Sequence, residues 1–169
     1  YLHQEIKDLP DGTEIRLNDE RITSDVRDFE TALRSGDLRH AVELYRGPFL
    51  DGFFVPDNPE FEHWSSAQRE RLQTKVAGAL EQIAGASEAG GDYRSAVEWR
   101  KQLAALFPFD TAAAVNLMTA LARSGDRAAA LQYARLHATL LREEFELDPD
   151  PVVEALAATL KEPVEWIPN

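Results

Sequence analysis

A glycine–aspartate pair recurs in this chain after 34 residues. Gly91-Asp92 opens the string GDYRSAVEWRKQL, and Gly125-Asp126 opens GDRAAALQYARLH. In each string an alanine, Ala96 or Ala130, stands five positions after the glycine. A period of this length marks a helix–turn–helix unit that cannot bury its apolar face alone and must stack on its neighbour. Glycine permits the tight turn, aspartate caps the helix that follows, and alanine lets two antiparallel helices cross closely. Such a stack is expected to hold another protein rather than to house an active site.

The rest of the chain reads as helices joined by turns of a few residues. Thr23-Ser24-Asp25 offers N-caps for a first helix carrying Val26, Phe29, Ala32 and Leu33, stopped by Gly36. Asp37 caps a second, with Ala41, Leu44 and Tyr45 on its apolar face, ending at Gly47-Pro48. Asn58-Pro59 starts a third that runs to about Ala89, with Phe61, Trp64, Leu72, Val76, Ala79, Ile83 and Ala86 on one side. Gly78 and Gly85 lie inside this helix, where they predict close approach of a neighbour. Asp92 caps a fourth helix, whose shared face is Ala96, Trp99, Leu103, Leu106 and Phe107, before Pro108 stops it. Asp110 caps a fifth, with Ala114, Leu117 and Leu121 aligned. The sixth begins at Asp126 and is apolar on two adjoining faces, so it is expected to be sandwiched. Asp150-Pro151 begins a seventh, with Val153, Leu156, Ala157 and Leu160, and Pro163 and Pro168 leave an extended tail. Only residues 1–22 differ. There Pro10-Asp11-Gly12 signals a turn, Glu14 to Asn18 alternates as a half-buried strand does, and Arg21-Ile22 suits another short strand. The expected fold class is all-α, about seven helices after a short β remnant.

The 34-residue offset pairs Leu80 with Ala114, Ile83 with Leu117, Ala84 with Met118, Leu103 with His137 and Pro108 with Arg142. This pattern resembles the tetratricopeptide repeat. It departs from that repeat at Leu80 and Ala114, where the repeat carries aromatics, and at Met118, where it carries a small residue. Gly36-Asp37 with Ala41 echoes the same turn off period.

Composition limits the function classes. The chain of 169 residues carries a net charge of −12, and such a surface repels a polyphosphate backbone. The charge is −6 over residues 1–58, −1 over 59–108 and −5 over 109–169, so the middle suits a partner of mixed charge best. Absence of cysteine excludes disulfides and thiolate metal sites and is compatible with a cytoplasmic location. No apolar run is long enough to span a membrane and no signal peptide is visible. The four histidines, His3, His40, His63 and His137, do not form a metal-binding pair, and His137 reads as a residue at the core edge. Asp25 with Asp28 and Asp148 with Asp150 sit at helix starts, where capping and the helix dipole account for them. No nucleophile motif, phosphate cradle, metal site or cofactor site is present, so an enzyme is not expected.

The flanks of the repeat are more specific than the repeat. Residues 45–72 contain YRGPFLDGF and, after a short loop, EFEHWSSAQRERL; later comes LLREEFELDPDPVVEAL. In this order, Tyr45-Arg46-Gly47-Pro48-Phe49-Leu50 and Trp64 with Arg69 and Leu72 resemble the bacterial transcriptional activator domain of SARP-type regulators. The resemblance covers residues 25–161. It departs at Phe145, where the family shows leucine followed by glycine; a changed turn is expected there. The resemblance implies domains over 1–22 (the end of a winged helix or linker), 23–161 (the helical activator domain) and 162–169 (a tail). It also implies that a DNA-reading winged helix lies upstream of Tyr1, and that DNA is reached only through it. RNA polymerase or a second subunit is the implied protein partner, and a homodimer is one arrangement the resemblance allows. The 34-residue period taken alone also fits a stand-alone adaptor that binds a peptide in a concave groove.

Two places could carry such a contact. The loop GPFLDGFFVPDNP puts Phe49, Leu50, Phe53, Phe54 and Val55 together, either as a plug anchored in the core or as an exposed patch. Trp64, Arg69 and Arg71 follow on the long helix. Trp64 is expected to pack near Phe53-Phe54 and Arg69 to pair with an acid; the alternative is a contact with a subunit or polymerase. Gly91, Ala96, Gly125 and Ala130 are assigned to the repeat turns. Trp166-Ile167 in the tail could fold back on the last helix, continue a linker or enter a neighbour's groove.

Overall fold

The computed structural model describes residues 24–162, together with the backbone of two short strands. These strands, β1 (Lys7–Asp8) and β2 (Ile15–Arg16), pair antiparallel with Lys7 opposite Arg16. The expected turn at residues 10–12, the strand at 21–22 and the Trp166 tail lie outside the described residues. Seven helices follow: α1 (Asp25–Ser35), α2 (Leu38–Leu44), α3 (Pro59–Ala89), α4 (Tyr93–Leu106), α5 (Thr111–Arg123), α6 (Arg127–Phe145) and α7 (Pro151–Lys161). The chain divides into two compact units, Tyr1–Gly47 and Pro48–Asn169.

The first unit holds the pair α1 and α2. Ser24 caps α1 by accepting from the Arg27 amide. Gly36 ends it with φ 80°, and Asp37 caps α2 by accepting from the His40 amide. Phe29, Ala32, Ala41 and Val42 are its buried residues, and the Phe29 ring leans on Tyr45 at 6.2 Å. Burial raises the Tyr45 hydroxyl above its usual pKa.

The second unit is a tetratricopeptide-like array in which α3 packs on α4, α4 on α5, α5 on α6, and α7 on both α5 and α6. The two repeat turns are built alike. The Gly91 amide donates to Glu88 O (3.0 Å) and the Asp92 amide to Ser87 O (2.9 Å). Thirty-four residues on, Gly125 donates to Ala122 O (3.1 Å) and Asp126 to Leu121 O (2.9 Å). Gly91 and Gly125 have φ 75° and 94°, where a Cβ is strained. Asp92 and Asp126 then cap α4 and α6. Leu80, Ile83, Ala84, Ala96 and Leu103 are buried, and so are Ala114, Leu117, Met118, Ala130 and His137 at the same offsets.

His137 corrects the expectation of a core-edge residue. It is fully buried, in the place Leu103 fills one repeat earlier. Its Nδ1 lies 3.1 Å from Pro108 O, which ties α6 to the α4–α5 turn, and its ring stacks on Tyr133. Among the described residues its Nε2 finds no hydrogen-bond partner. Burial also raises the Tyr133 hydroxyl.

The apolar face of α4 includes an arginine. Arg100 lies between Ala96 and Leu103 on the buried side, with its side chain 8% exposed. It donates to both oxygens of Glu88 (2.8 and 3.0 Å) and to Glu81, both on α3. The hydrogen bond to Glu88 leads in raising its pKa, against the opposing effect of burial. The spacing 96, 100, 103 marks this position in the sequence as core-facing.

Two glycines behave otherwise than expected. A Cβ built on Gly78 or Gly85 meets nothing within 4 Å, so no helix approaches closely there. Ala86 is exposed as well, because α3 faces a partner along only part of its turn. At the end of α6, Glu146 takes φ 57°, the left-handed position that favours glycine. The Leu147 amide still reaches back to Leu141 O (3.3 Å). Asp148 does not cap: it pairs with Arg142 at 3.0 Å, while Asp150 caps α7.

Replacing Gly78 with alanine should stabilise the protein by up to about 1 kcal/mol, since helix propensity improves and nothing is crowded. Glu146→Gly should gain about 1 kcal/mol by relieving the left-handed backbone, whereas Gly91→Ala should lose a similar amount. Urea unfolding midpoints of the three variants check these signs. Arg100→Ala should cost about 1–3 kcal/mol, because it removes a buried side chain from the α3–α4 contact and takes the shared donor from Glu88 and Glu81, which water can still reach. Arg100→Met should cost less in the same experiment.

Candidate protein-interaction surface

The segment between Gly47 and Asn58 is a loop with two non-glycine residues in left-handed conformation, Leu50 (φ 50°) and Asp57 (φ 57°). For a bulky residue such as leucine this backbone is costly and must be held by its surroundings. Arg69 supplies that hold. Its Nε donates to Phe49 O at 2.8 Å and its guanidinium NH2 to Leu50 O at 3.2 Å. The expected acid partner of Arg69 is thus replaced by two loop carbonyls, whose fixed positions suit the planar guanidinium fork. Two backbone turns, Asp51 N to Pro48 O and Phe53 N to Leu50 O, complete the loop. At its far end Glu62 accepts from the Val55 amide, and Asn58 caps α3.

Held in this way, the loop lays its rings against the first turns of α3. Trp64 meets Phe49 edge-on at 5.6 Å and leans on Phe61 at 5.6 Å; Phe61 meets Phe53 edge-on at 5.7 Å. Phe49, Val55 and Phe61 are half-buried. The outer layer is open: Leu50 is 37% exposed, Phe53 53%, Phe54 66% and Trp64 48%. The reading of this loop as a core plug is therefore corrected. Only its inner residues are anchored, and a contiguous aromatic face remains at the surface. Such faces mark interaction sites on soluble domains.

Of the three residues singled out on the long helix, Trp64 and Arg69 converge on Phe49, one on its ring and one on its carbonyl. Arg71 does not join them. Two positions beyond Arg69 it points to another side of α3, where its Nε donates to Gln68 at 2.9 Å. Gly91, Ala96, Gly125 and Ala130 form the repeat turns and crossings and lie away from this surface. No cluster able to hold a metal occurs among the described residues, and none of their helices is long and apolar enough to cross a membrane.

Arg69→Ala should release the loop and leave the helices intact. Limited proteolysis should cut within residues 48–58 at least several-fold faster, with unchanged helical circular dichroism. Arg69→Lys should rescue poorly, because an ammonium cannot hold two adjacent carbonyls in the same fork.

The chain matches the family model for the bacterial transcriptional activator domain over residues 11–161. No curated protein matches it. The family match spans the Tyr45–Leu50 string, the Trp64–Leu72 string and both repeat turns. The chain belongs to the bacterial transcriptional activator domain family, and is a regulatory domain of the kind found in bacterial transcriptional activators.

Proposed function

We propose that this domain is the protein-contacting and oligomerisation module of a SARP-type activator, working in the cytoplasm beside a DNA-reading winged helix encoded upstream of Tyr1. Residues 1–22 are then the end of that reader or its linker. The observation that carries this reading is the aromatic face of Phe53, Phe54 and Trp64, held by Arg69 within the family's own sequence strings. Aromatic side chains of this kind supply much of the affinity of protein contacts. The partner is RNA polymerase or a second subunit of the activator. The net charge of −12 supports leaving phosphate contacts to the upstream domain.

The test uses the chain extended upstream to include the winged helix. It is expected to bind a promoter carrying a direct repeat and to activate transcription from it. A protein that ignores all DNA overturns the reading. In that longer protein, Phe53→Ser with Phe54→Ser should leave stability within about 1 kcal/mol and DNA affinity unchanged, since both rings are exposed. Activated transcription should fall at least tenfold. Full activation by the double variant would remove the aromatic face from the mechanism.

A further inference from the structure

The groove between α6 and α7 carries opposite charges at its two ends. It holds about 430 Å³ over an apolar floor of Ala134, Ala138, Val153 and Ala157. The turn that joins the two helices closes one end, between the lining residues Arg142 and Pro149. Asp148 neutralises Arg142 there at 3.0 Å. The charge of that end is therefore set by acids, Glu154 on the wall and Glu143, Glu144 and Glu146 on the turn. At the other end the rim is Arg135 and Lys161. Each lies about 15 Å from the turn, being ten residues from Phe145 along α6 or from Pro151 along α7. Neither these two bases nor these four acids have an ion-pair partner among the described residues.

The acidic end is also apolar. Phe145 is 52% exposed and Leu147 58%, and Phe145 is braced by Phe109, edge-on at 4.8 Å. The turn that carries them is fixed, since the Glu146 amide donates to Arg142 O (3.1 Å) and the Leu147 amide to Leu141 O (3.3 Å). An acidic, apolar knuckle thus stands at one end of a groove whose far end is basic. Such a patch is its own complement. A two-fold axis across the middle of the groove sets α6 of one copy antiparallel to α6 of the next. The knuckle of each copy then lies over the basic end of the other, and both halves of the contact are the same, as a closed dimer requires. In a chain with a net charge of −12 most pairings of two copies set like charges together, whereas this one opposes them.

We propose that the α6–α7 groove is the dimer contact of this domain. Each copy seats Phe145 and Leu147 on its partner's alanine floor, with Glu143 and Glu144 against the partner's Arg135 and Lys161. This names a surface for the oligomerisation proposed above and rests on that part of the reading. It shares no residue with the aromatic loop, so promoter binding or polymerase contact can fail while the dimer stands.

Sedimentation equilibrium of the chain should show a reversible dimer, with a Kd on the order of 10–100 μM for two small seats. Phe145→Ser with Leu147→Ser should weaken it at least tenfold. The decisive experiment swaps charges. Arg135→Glu with Lys161→Glu gives one variant and Glu143→Lys with Glu144→Lys another, and each should dimerise at least tenfold more weakly. Mixed in equal amounts, the two should form a heterodimer with a Kd within about threefold of the parent's, because both seats are again complementary. All six side chains are exposed, so helical circular dichroism should not change. A chain that stays monomeric well above that Kd leaves the groove to some other occupant and overturns the proposal. A dimer indifferent to the swaps, or variants that do not pair when mixed, overturns it as well. Loss of promoter binding by the longer protein with the dimer intact would count against the proposed function instead.

Discussion

The left-handed glycine followed by a capping aspartate is the constraint on which the second unit depends. It reverses the chain in two residues and satisfies the orphan groups of both flanking helices. By fixing the start of the second helix, it also decides which residue meets the first. Five positions after the glycine that residue is Ala96 or Ala130, fully buried where the helices cross. A larger side chain at that point would hold the helices apart and open the core along their whole length. The pair Gly36-Asp37 imposes the same geometry on α1 and α2, with Ala41 buried at the same offset. The turn therefore acts locally, and its spacing from the next copy is set by the helix between them.

Once the turns are set, polar side chains close the ends that the repeat leaves open. Gln73 donates to Leu106 O at the end of α4, and Arg127 does the same for α7. Arg100 clasps α3 through two glutamates, and His137 fastens α6 to Pro108. Each is a long side chain reaching across a helix pair to a group that would otherwise lack a partner. The unit is held by apolar burial at the crossings and by these ties at the rims.

The sequence made legible what depends on local chemistry. Every N-cap from Asp37 onward is the aspartate or asparagine expected, because a cap is decided by the residue and its nearest amides. The helix count and nine of the ten buried repeat positions follow from periodicity for the same reason, His137 being the exception. What stayed hidden depends on three-dimensional neighbours. Gly78 and Gly85 suggest a close crossing, yet the space beside them is open. Arg69 invites an acid, but the nearest acceptors are carbonyls of a loop some twenty residues earlier, exposed by its unusual backbone. The loop's aromatics could not be divided into anchored and exposed from their order in the chain. That division follows from how the folded loop turns each ring: Phe53 touches Phe61 and still stays half open, whereas Phe49 is tucked beneath Trp64.

The charge pattern gains meaning from where the cations are used. Arg69 and Arg127 are committed to backbone carbonyls, Arg100 to two glutamates, Arg123 to Tyr93 and Arg142 to Asp148. These arginines are internal fasteners, and fork-shaped donors suit that task better than ammonium groups do. A cation held this way is not available to a phosphate without breaking the contact that positions a helix or loop. With 30 acids against 18 bases in the chain, the surface left over is acidic beyond what the totals alone convey. Affinity for a polyphosphate rises with the number of free cations that replace its counterions. The five arginines tied into the fold in this way are poorly placed to meet a polyphosphate, while the face around Phe54 and Trp64 offers apolar and aromatic area instead.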